Sequence, residues 1–206
     1  MRQLRIAPDA ADRVRQAMRA ADRRGFLPPS VRHLAGADGP VGIGWGATNS
    51  QPSTVARMLE LLDARPGRRV LDVGAGSGWT TAILAELGAD VTGVELVPEL
   101  VEQGSANLAA HLASRPEGAP GATARIVPAT PGTLGLPQAA PWHRILVSAD
   151  FGRMPDALVD QLAEGGRMVA PVAGELLVVD LHGGRVRTQA DGGRYAFVPL
   201  HLTLGE

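Results

Sequence analysis

The stretch Val70-Leu71-Asp72-Val73-Gly74-Ala75-Gly76-Ser77-Gly78 constrains this chain most: an apolar run carrying one acid, broken by three alternate glycines just before a helical pattern begins at Trp79. A strand delivers the backbone to a tight turn, and the glycines allow the main chain to approach a ligand closely. The free N–H groups at the start of the next helix then face that ligand. This is the pattern of a nucleotide-type cofactor loop. Dinucleotide sites space their glycines as G-x-G-x-x-G, whereas the order here is G-x-G-x-G with Asp72 two residues ahead of the first. That spacing suits S-adenosylmethionine. This cofactor has no phosphate to neutralise and carries cationic sulfonium and amino groups, which an acid such as Asp72 favours electrostatically.

A helix-period run from Trp79 to Leu87 ends at Gly88, and Val91-Thr92-Gly93-Val94-Glu95 follows as a short strand ending in an acid. An acid at the tip of the second strand of such a βαβ unit can accept both ribose hydroxyls. Gly74, Ala75, Gly76, Ser77, Gly78, Glu95 and its neighbour Leu96 are therefore the expected cofactor contacts, with Asp72. The competing explanation is a βα turn whose glycines only let helix pack on strand; the register of strand, helix and Glu95 argues against it.

A chain of 206 residues, 45% hydrophobic and 20% charged, is long enough for one full core. One domain over residues 1–206 is expected, with 1–62 as N-terminal cap and substrate-side segment and 63–206 as cofactor-binding sheet and C-terminal strands. Twenty basic against twenty-one acidic residues give a formal charge of −1, which offers no general attraction to nucleic acid or to an anionic membrane. Cysteine is absent, which excludes disulfides and thiol nucleophiles, and no apolar run near the N-terminus has the length of a signal peptide or membrane span. A cytoplasmic monomer is expected. The five histidines show no pair at metal-ligand spacing, so no metal is expected.

Helical spacing covers Asp9 to Arg24, and the Gly- and Pro-rich segment Gly25 to Gly46 suits irregular structure. Pro52 opens a helix in which Val55, Met58, Leu59 and Leu62 recur at three and four. Strands are expected at Val70 to Val73, Val91 to Val94, Ala124 to Val127, Arg144 to Ser148 and Arg167 to Pro171. Helices fall between them at Trp79 to Leu87, Pro98 to His111 and Asp156 to Leu162. Such alternation implies an α/β fold: a doubly wound, mostly parallel, Rossmann-like sheet covered on both faces. Leu176 to Leu181 and Arg185 to Gln189, joined across His182-Gly183-Gly184, form an edge hairpin, and Ser114 to Ala122 a loop.

The order of motifs resembles the protein-L-isoaspartate O-methyltransferases from Arg13 to Leu202. The likeness is carried by Arg32-His33-Leu34-Ala35, Gly42-Ile43-Gly44, Thr48-Asn49-Ser50-Gln51-Pro52, Val70 to Gly78, Val97-Pro98-Glu99-Leu100, Gly132-Thr133-Leu134-Gly135, Leu158 to Val172 and Phe197-Val198-Pro199-Leu200. The resemblance implies methyl transfer from S-adenosyl-L-methionine, leaving S-adenosyl-L-homocysteine, to a carboxylate on a peptide or protein, with L-isoaspartyl residues as the leading acceptor. It also implies that Ser50 lies near the transferred methyl group, as a hydrogen-bond donor to the acceptor carboxylate, with Thr48, Asn49 and Gln51 on the substrate side. Ser50 could alternatively, or in addition, cap the helix starting near Pro52.

Three departures from the family pattern stand out. Asn49 replaces a usual Ile. Thr130-Pro131-Gly132 stands where Gly-Asp-Gly is usual, so a cofactor contact is either missing, with weaker affinity, or replaced by Thr130 or the backbone there, which makes Thr130 and Gly132 the cofactor-side candidates. Ser148-Ala149-Asp150-Phe151 brings charge and bulk to a loop that borders the substrate in relatives, making Asp150 and Phe151 substrate-side candidates. These departures keep two alternatives open, a dedicated peptide or small carboxylate acceptor and a non-catalytic cofactor-binding homologue; a nicotinamide-dependent oxidoreductase is a third, disfavoured by the glycine spacing and by the absence of a recognisable proton-relay element. Trp45 and Trp142 could line a substrate cleft, though an aromatic in a Gly-rich segment more often anchors its loop.

Overall fold

A computed structural model describes residues 4, 6–116 and 122–203; positions 117–121 of the expected Ser114–Ala122 loop lie outside the described residues. Helix α1 spans Ala10–Ala20 and a short hairpin pairs β1 (Val41–Gly44) with β2 (Ala47–Asn49). Then follow α2 (Pro52–Leu62), β3 (Arg69–Val73), α3 (Trp79–Glu86), β4 (Asp90–Glu95), α4 (Pro98–Ala113), β5 (Ala124–Pro128) and β6 (Trp142–Val147). The chain ends with α5 (Asp156–Val159), β7 (Leu162–Val172), β8 (Glu175–His182) and β9 (Arg185–Ala190). The seven-stranded sheet has the order β5-β4-β3-β6-β7-β8-β9; β3 to β7 run parallel, and β8 and β9 add on as the expected antiparallel hairpin.

Alternation along the strands sends successive side chains to opposite faces. Val70, Val91, Leu146, Val169 and Val178 meet the helices α1 to α4, and Leu71, Val94, Ile145, Met168 and Val179 face the other way. That second face carries little helix. It is closed by Leu134 and Leu136 from the connection after β5, by Leu158 of α5 and by Leu200 and Leu202 of the C-terminal segment.

Two expectations need correction. The supposedly irregular stretch before Ser50 contains the β1–β2 hairpin, because Val41 and Ile43 alternate with glycines and bury their side chains with Leu27 and Leu100. The helix expected from Asp156 to Leu162 stops after Val159: Leu162 already pairs with Trp142, and the extra residues before Arg167 are absorbed as a register shift containing Gly165 at φ +74°.

The glycine loop packs on α4 through Gly104. A Cβ there would lie 2.5 Å from the carbonyl oxygen of Gly76 and 3.0 Å from Ile126 Cδ1, with backbone on one side that cannot swing away. Gly104→Ala is expected to destabilise the protein by roughly 2 kcal/mol, the usual cost of overpacking, lowering Tm by roughly 5 °C in thermal unfolding. Gly25→Ala, where a Cβ meets nothing within 4 Å, serves as the neutral control.

Candidate active site

Strand order reverses between β3 and β6, since the chain leaves β3 for β4 and β5 on one side and returns to β6 on the other. Ligands of open α/β sheets bind outside the carboxyl ends of the strands at such a point. The glycine loop emerges there from β3, with Gly74, Gly76 and Gly78 at φ +81°, +51° and +85°, a region side chains disfavour. The N–H groups of Gly74 and Ala75 donate to the carbonyl of Val94, 2.9 and 3.1 Å, which ties the loop to the end of β4. A cavity opens there, walled by Val73, Gly74, Gly76, Val94, Glu95, Leu96, Leu100, Thr130, Leu134 and Ser148, and also by Trp45 to Thr48 and Val198 to Leu202. One acid against apolar walls and hydroxyls fits a nucleoside: the walls can hold a base and the acid a sugar.

Glu95 lies at the rim, as expected, but its carboxylate is already in use. Oε1 accepts from the N–H groups of Leu96 and Val97, 2.7 and 3.0 Å, and Oε2 from Gly76 N–H, 2.8 Å. A carboxylate has about four acceptor positions, so Oε2 keeps one for a ribose hydroxyl while the others fix the loop. Ala75 and Ser77 of the loop are buried, and neither they nor Gly78 line the cavity; Ser77 Oγ accepts from Asn49 and its carbonyl from Asn107 Nδ2.

Asp72 is fully buried and does not line the cavity. Thr81 Oγ1 donates to Oδ2 at 2.7 Å and Ser148 Oγ to Oδ1 at 3.2 Å. Asp72 therefore reaches the cavity only through Ser148, which does line it. Burial pushes the Asp72 carboxyl up to about 6; the bonds from Thr81 and Ser148 oppose this and the charge of Glu95 adds to it.

On the substrate side, Trp45 sits at the tip of the β1–β2 hairpin at φ +51°, followed by Gly46 at φ +74°, so both central residues of the two-residue turn are left-handed. Trp45 is 55% exposed at the cavity mouth, whereas Trp142 is buried at the opposite end of the sheet beneath Arg69. Thr48 lines the cavity. Asn49 does not: it is 4% exposed, with Oδ1 accepting from Arg23 Nε at 2.7 Å and Nδ2 donating to Ser77 Oγ at 3.1 Å. The carbonyl of Ser50 accepts from Arg23, and its half-buried hydroxyl has no partner among the described residues.

Ser50 does not cap α2. The residue before the helix is Gln51, and the N-terminus is capped from elsewhere: Asp38 accepts from Ser53 N–H at 2.9 Å and from Gln51 Nε2 at 3.1 Å. These bonds, that from Ser53 N–H first, hold the Asp38 carboxyl below its ordinary range. Gln51 is thus spent on Asp38, away from the cavity.

Thr130, Pro131, Gly132 and Thr133 form a turn closed by a 2.9 Å bond from Thr133 N–H to the Thr130 carbonyl, with Gly132 at φ +77° as its third position demands. Gly132 N–H donates to the carbonyl of Leu202 and so pins the C-terminal segment over the cavity. Asp150 turns away from the cavity and accepts from the N–H groups of Gly152, Ala173 and Gly174 at 2.7, 3.2 and 3.2 Å. Phe151 packs on the second core face, with the Arg153 guanidinium 5.4 Å from its ring. Sequence reasoning did not name Thr133, Leu134, Ser148 or Val198 to Leu202 as lining residues; the Phe197-Val198-Pro199-Leu200 motif was the available signal for the last group. Among the described residues no group of three or more His, Asp or Glu is placed to hold a metal.

The buried acid makes stability depend on pH. Its folded-state value of about 6 lies above the ordinary 3.8, so the native state holds the proton more tightly and stability is lost as pH rises from about 4 to 6. Asp72→Asn keeps the shape, accepting from Thr81 and donating to Ser148. In ligand-free protein its stability relative to wild type is expected to rise by about 1 kcal/mol, or about 3 °C in Tm, between pH 5 and pH 8. Thermal unfolding at the two pH values checks this; an unchanged difference would mean that Asp72 titrates normally.

A family model described as protein-L-isoaspartate(D-aspartate) O-methyltransferase matches residues 1–203. A protein-L-isoaspartate O-methyltransferase of Aeropyrum pernix is 44% identical over 196 residues, covering 91% of this chain and 72% of that one. One of Methanoculleus marisnigri is 40% identical over 202 residues, covering 96% and 87%. Among solved structures, a Plasmodium falciparum protein described as a β-aspartate methyltransferase, crystallised with S-adenosyl-L-homocysteine, superposes with a TM-score of 0.76 at 25% identity, covering 92% of this chain and 90% of that one. With the glycine loop, the acid at the tip of β4 and the switch-point cavity in place, the chain belongs to the protein-L-isoaspartate(D-aspartate) O-methyltransferase family.

Proposed function

We propose that the protein transfers the methyl group of S-adenosyl-L-methionine to the carboxylate of L-isoaspartyl residues in peptides and damaged proteins. The observation that carries this reading is one cavity lined both by the glycine loop and Glu95 and by Trp45 to Thr48, with Ser50, whose hydroxyl has no partner among the described residues, two residues past Thr48 and outside that lining. When bound, the cofactor supplies an electrophilic methyl group and leaves as S-adenosyl-L-homocysteine. The residues around the cavity have the remaining work. An isoaspartyl carboxylate is ionised at neutral pH, its reference value being near 4, so no strong base is needed. Orientation is the main requirement, and holding acceptor oxygen, carbon and sulfur in line can contribute several kcal/mol. Thr48 and Ser50 supply donors for the second carboxylate oxygen, and the apolar walls exclude water, which otherwise solvates the nucleophile. Glu95 anchors the ribose, and Thr130 borders the same pocket.

Esterification turns a poor leaving group into a good one, so the neighbouring backbone nitrogen can close a succinimide that reopens in part to normal aspartate. Repair of damaged protein follows from that chemistry. Residues 1–206 act on this reading as one methyltransferase domain and as a monomer. The absence of cysteine favours a cytoplasmic setting, and no helix among the described residues is long and apolar enough to cross a membrane.

A dedicated acceptor loses its main support. Asn49 and Asp150 suggested altered chemistry beside the substrate, yet both are occupied by internal hydrogen bonds. The decisive measurement is methyl transfer from labelled S-adenosylmethionine to an isoaspartyl peptide beside its aspartyl twin. Labelling of the first with the second at background is expected; equal labelling, or none, would sink the proposal. Ser50→Ala is expected to lower kcat roughly tenfold to a hundredfold, the worth of a hydrogen bond to a charged group, with cofactor Kd unchanged. Unaltered turnover would remove Ser50 from the mechanism.

A further inference from the structure

The side chain of Asn49 joins two parts of the site that are far apart in sequence. Its residue ends β2, one step from Thr48 in the cavity wall and one from Ser50. Its Nδ2 donates to Ser77 Oγ in the glycine loop, and its Oδ1 accepts from Arg23. Ser77 is itself 3% exposed and held from the other side by Asn107 Nδ2, and Gly76 next to it donates to Glu95. One planar amide therefore lies between the loop that meets the cofactor and the strand that meets the acceptor. An aliphatic side chain at this position has no atom that could make either bond.

We propose that Asn49 is a positioning residue that couples cofactor occupancy of the glycine loop to the placement of the acceptor strand. A ligand that fixes Gly76 and Ser77 fixes the Oγ to which Asn49 donates. The amide then carries the restraint into β2, and so to Thr48 and Ser50. The coupling is reciprocal: an acceptor that orders β2 tightens the loop by the same factor. The proposal rests on the methyltransferase reading only in needing a cofactor that occupies the loop.

Hydrogen exchange of the segment Val41 to Gln51 tests it, with and without S-adenosyl-L-homocysteine at a saturating concentration set from each variant's own Kd by calorimetry. In wild type the ligand is expected to slow exchange of this segment about tenfold, within the usual range of coupling between sites. Asn49→Leu keeps the size and leaves Arg23 its four carbonyl partners, but is expected to abolish most of that protection. Asn49→Asp is expected to restore it, because the Ser77 hydroxyl can reverse its role and donate to the carboxylate. Ser77→Ala, which cuts the bridge from the loop side and leaves the Asn49–Arg23 bond, is expected to behave like Asn49→Leu. A merely structural Asn49 predicts lower Tm in the Leu variant with ligand-dependent protection intact in both Leu and Ala variants. That result, or no protection in wild type despite binding, overturns the coupling and leaves the methyltransferase reading standing. Failure of wild type to bind S-adenosyl-L-homocysteine overturns both.

Discussion

The buried guanidinium of Arg23 is the interaction on which the chain around the β1–β2 hairpin and the start of α2 depends. It is 4% exposed, forms no ion pair among the described residues and meets its need for acceptors with five oxygens: the carbonyls of Ala37, Gly39, Asn49 and Ser50 and the Asn49 amide. Burying a cation without a carboxylate is costly unless every donor is used. The loop carrying Ala37 to Gly39, the end of β2 and the entry to α2 are therefore held around one group. The guanidinium also lies 5.4 Å from the Trp79 ring, whose indole N–H donates to the Ala21 carbonyl. Trp79 opens the helix behind the glycine loop, so the N-terminal segment is built into both halves of the site.

Acids serve a common purpose around this centre. Glu95, Asp38 and Asp150 each take two or three hydrogen bonds, most of them from backbone N–H groups, at the places where the chain turns: after β4, before α2 and at the β7–β8 connection. Carboxylates are good partners for unpaired N–H groups because the bonds are charge-assisted. Of the three only Glu95 lines the cavity, so Asp38 and Asp150 hold the surrounding chain without adding their charge to its walls. Asp72, by contrast, has only side-chain partners and is sealed beneath the loop with Thr81 and Ser148.

This division of labour explains the departures from the family pattern. Asn49 stands where an apolar residue is usual because the polar Oγ of Ser77 and the guanidinium of Arg23 converge on it. Pro131 stands where an acid is usual as the second residue of a turn whose third, Gly132, pins the C-terminal segment. Asp150 closes the turn at Ala173 and Gly174 while its backbone pairs with Val198 and Leu200. Each change serves structure near the site, and the lining itself keeps its hydroxyls, apolar walls and single rim acid.

Much of this was legible in the primary structure. Alternation of β and α periods, the glycine spacing of residues 74–78 and the acid at Glu95 are local patterns, and local patterns survive translation into strands, helices and turns because backbone sterics and side-chain periodicity act over a few residues. The alternating strands and helices, the edge hairpin, the cofactor loop and the candidacy of Ser50 follow from them and from the family resemblance, whereas the order of the strands in the sheet does not. What tertiary structure alone decided is which polar groups face the cavity and which are consumed in holding it. Asp72, Asn49, Gln51 and Asp150 all read as site residues, yet their partners lie 9 to 28 positions away at Thr81, Ser77, Asp38 and Gly174. A buried polar group must be paired, and the sequence names the group without naming the partner; only the packed chain brings Arg23, from the turn after the first helix, to the end of β2 beside the cavity.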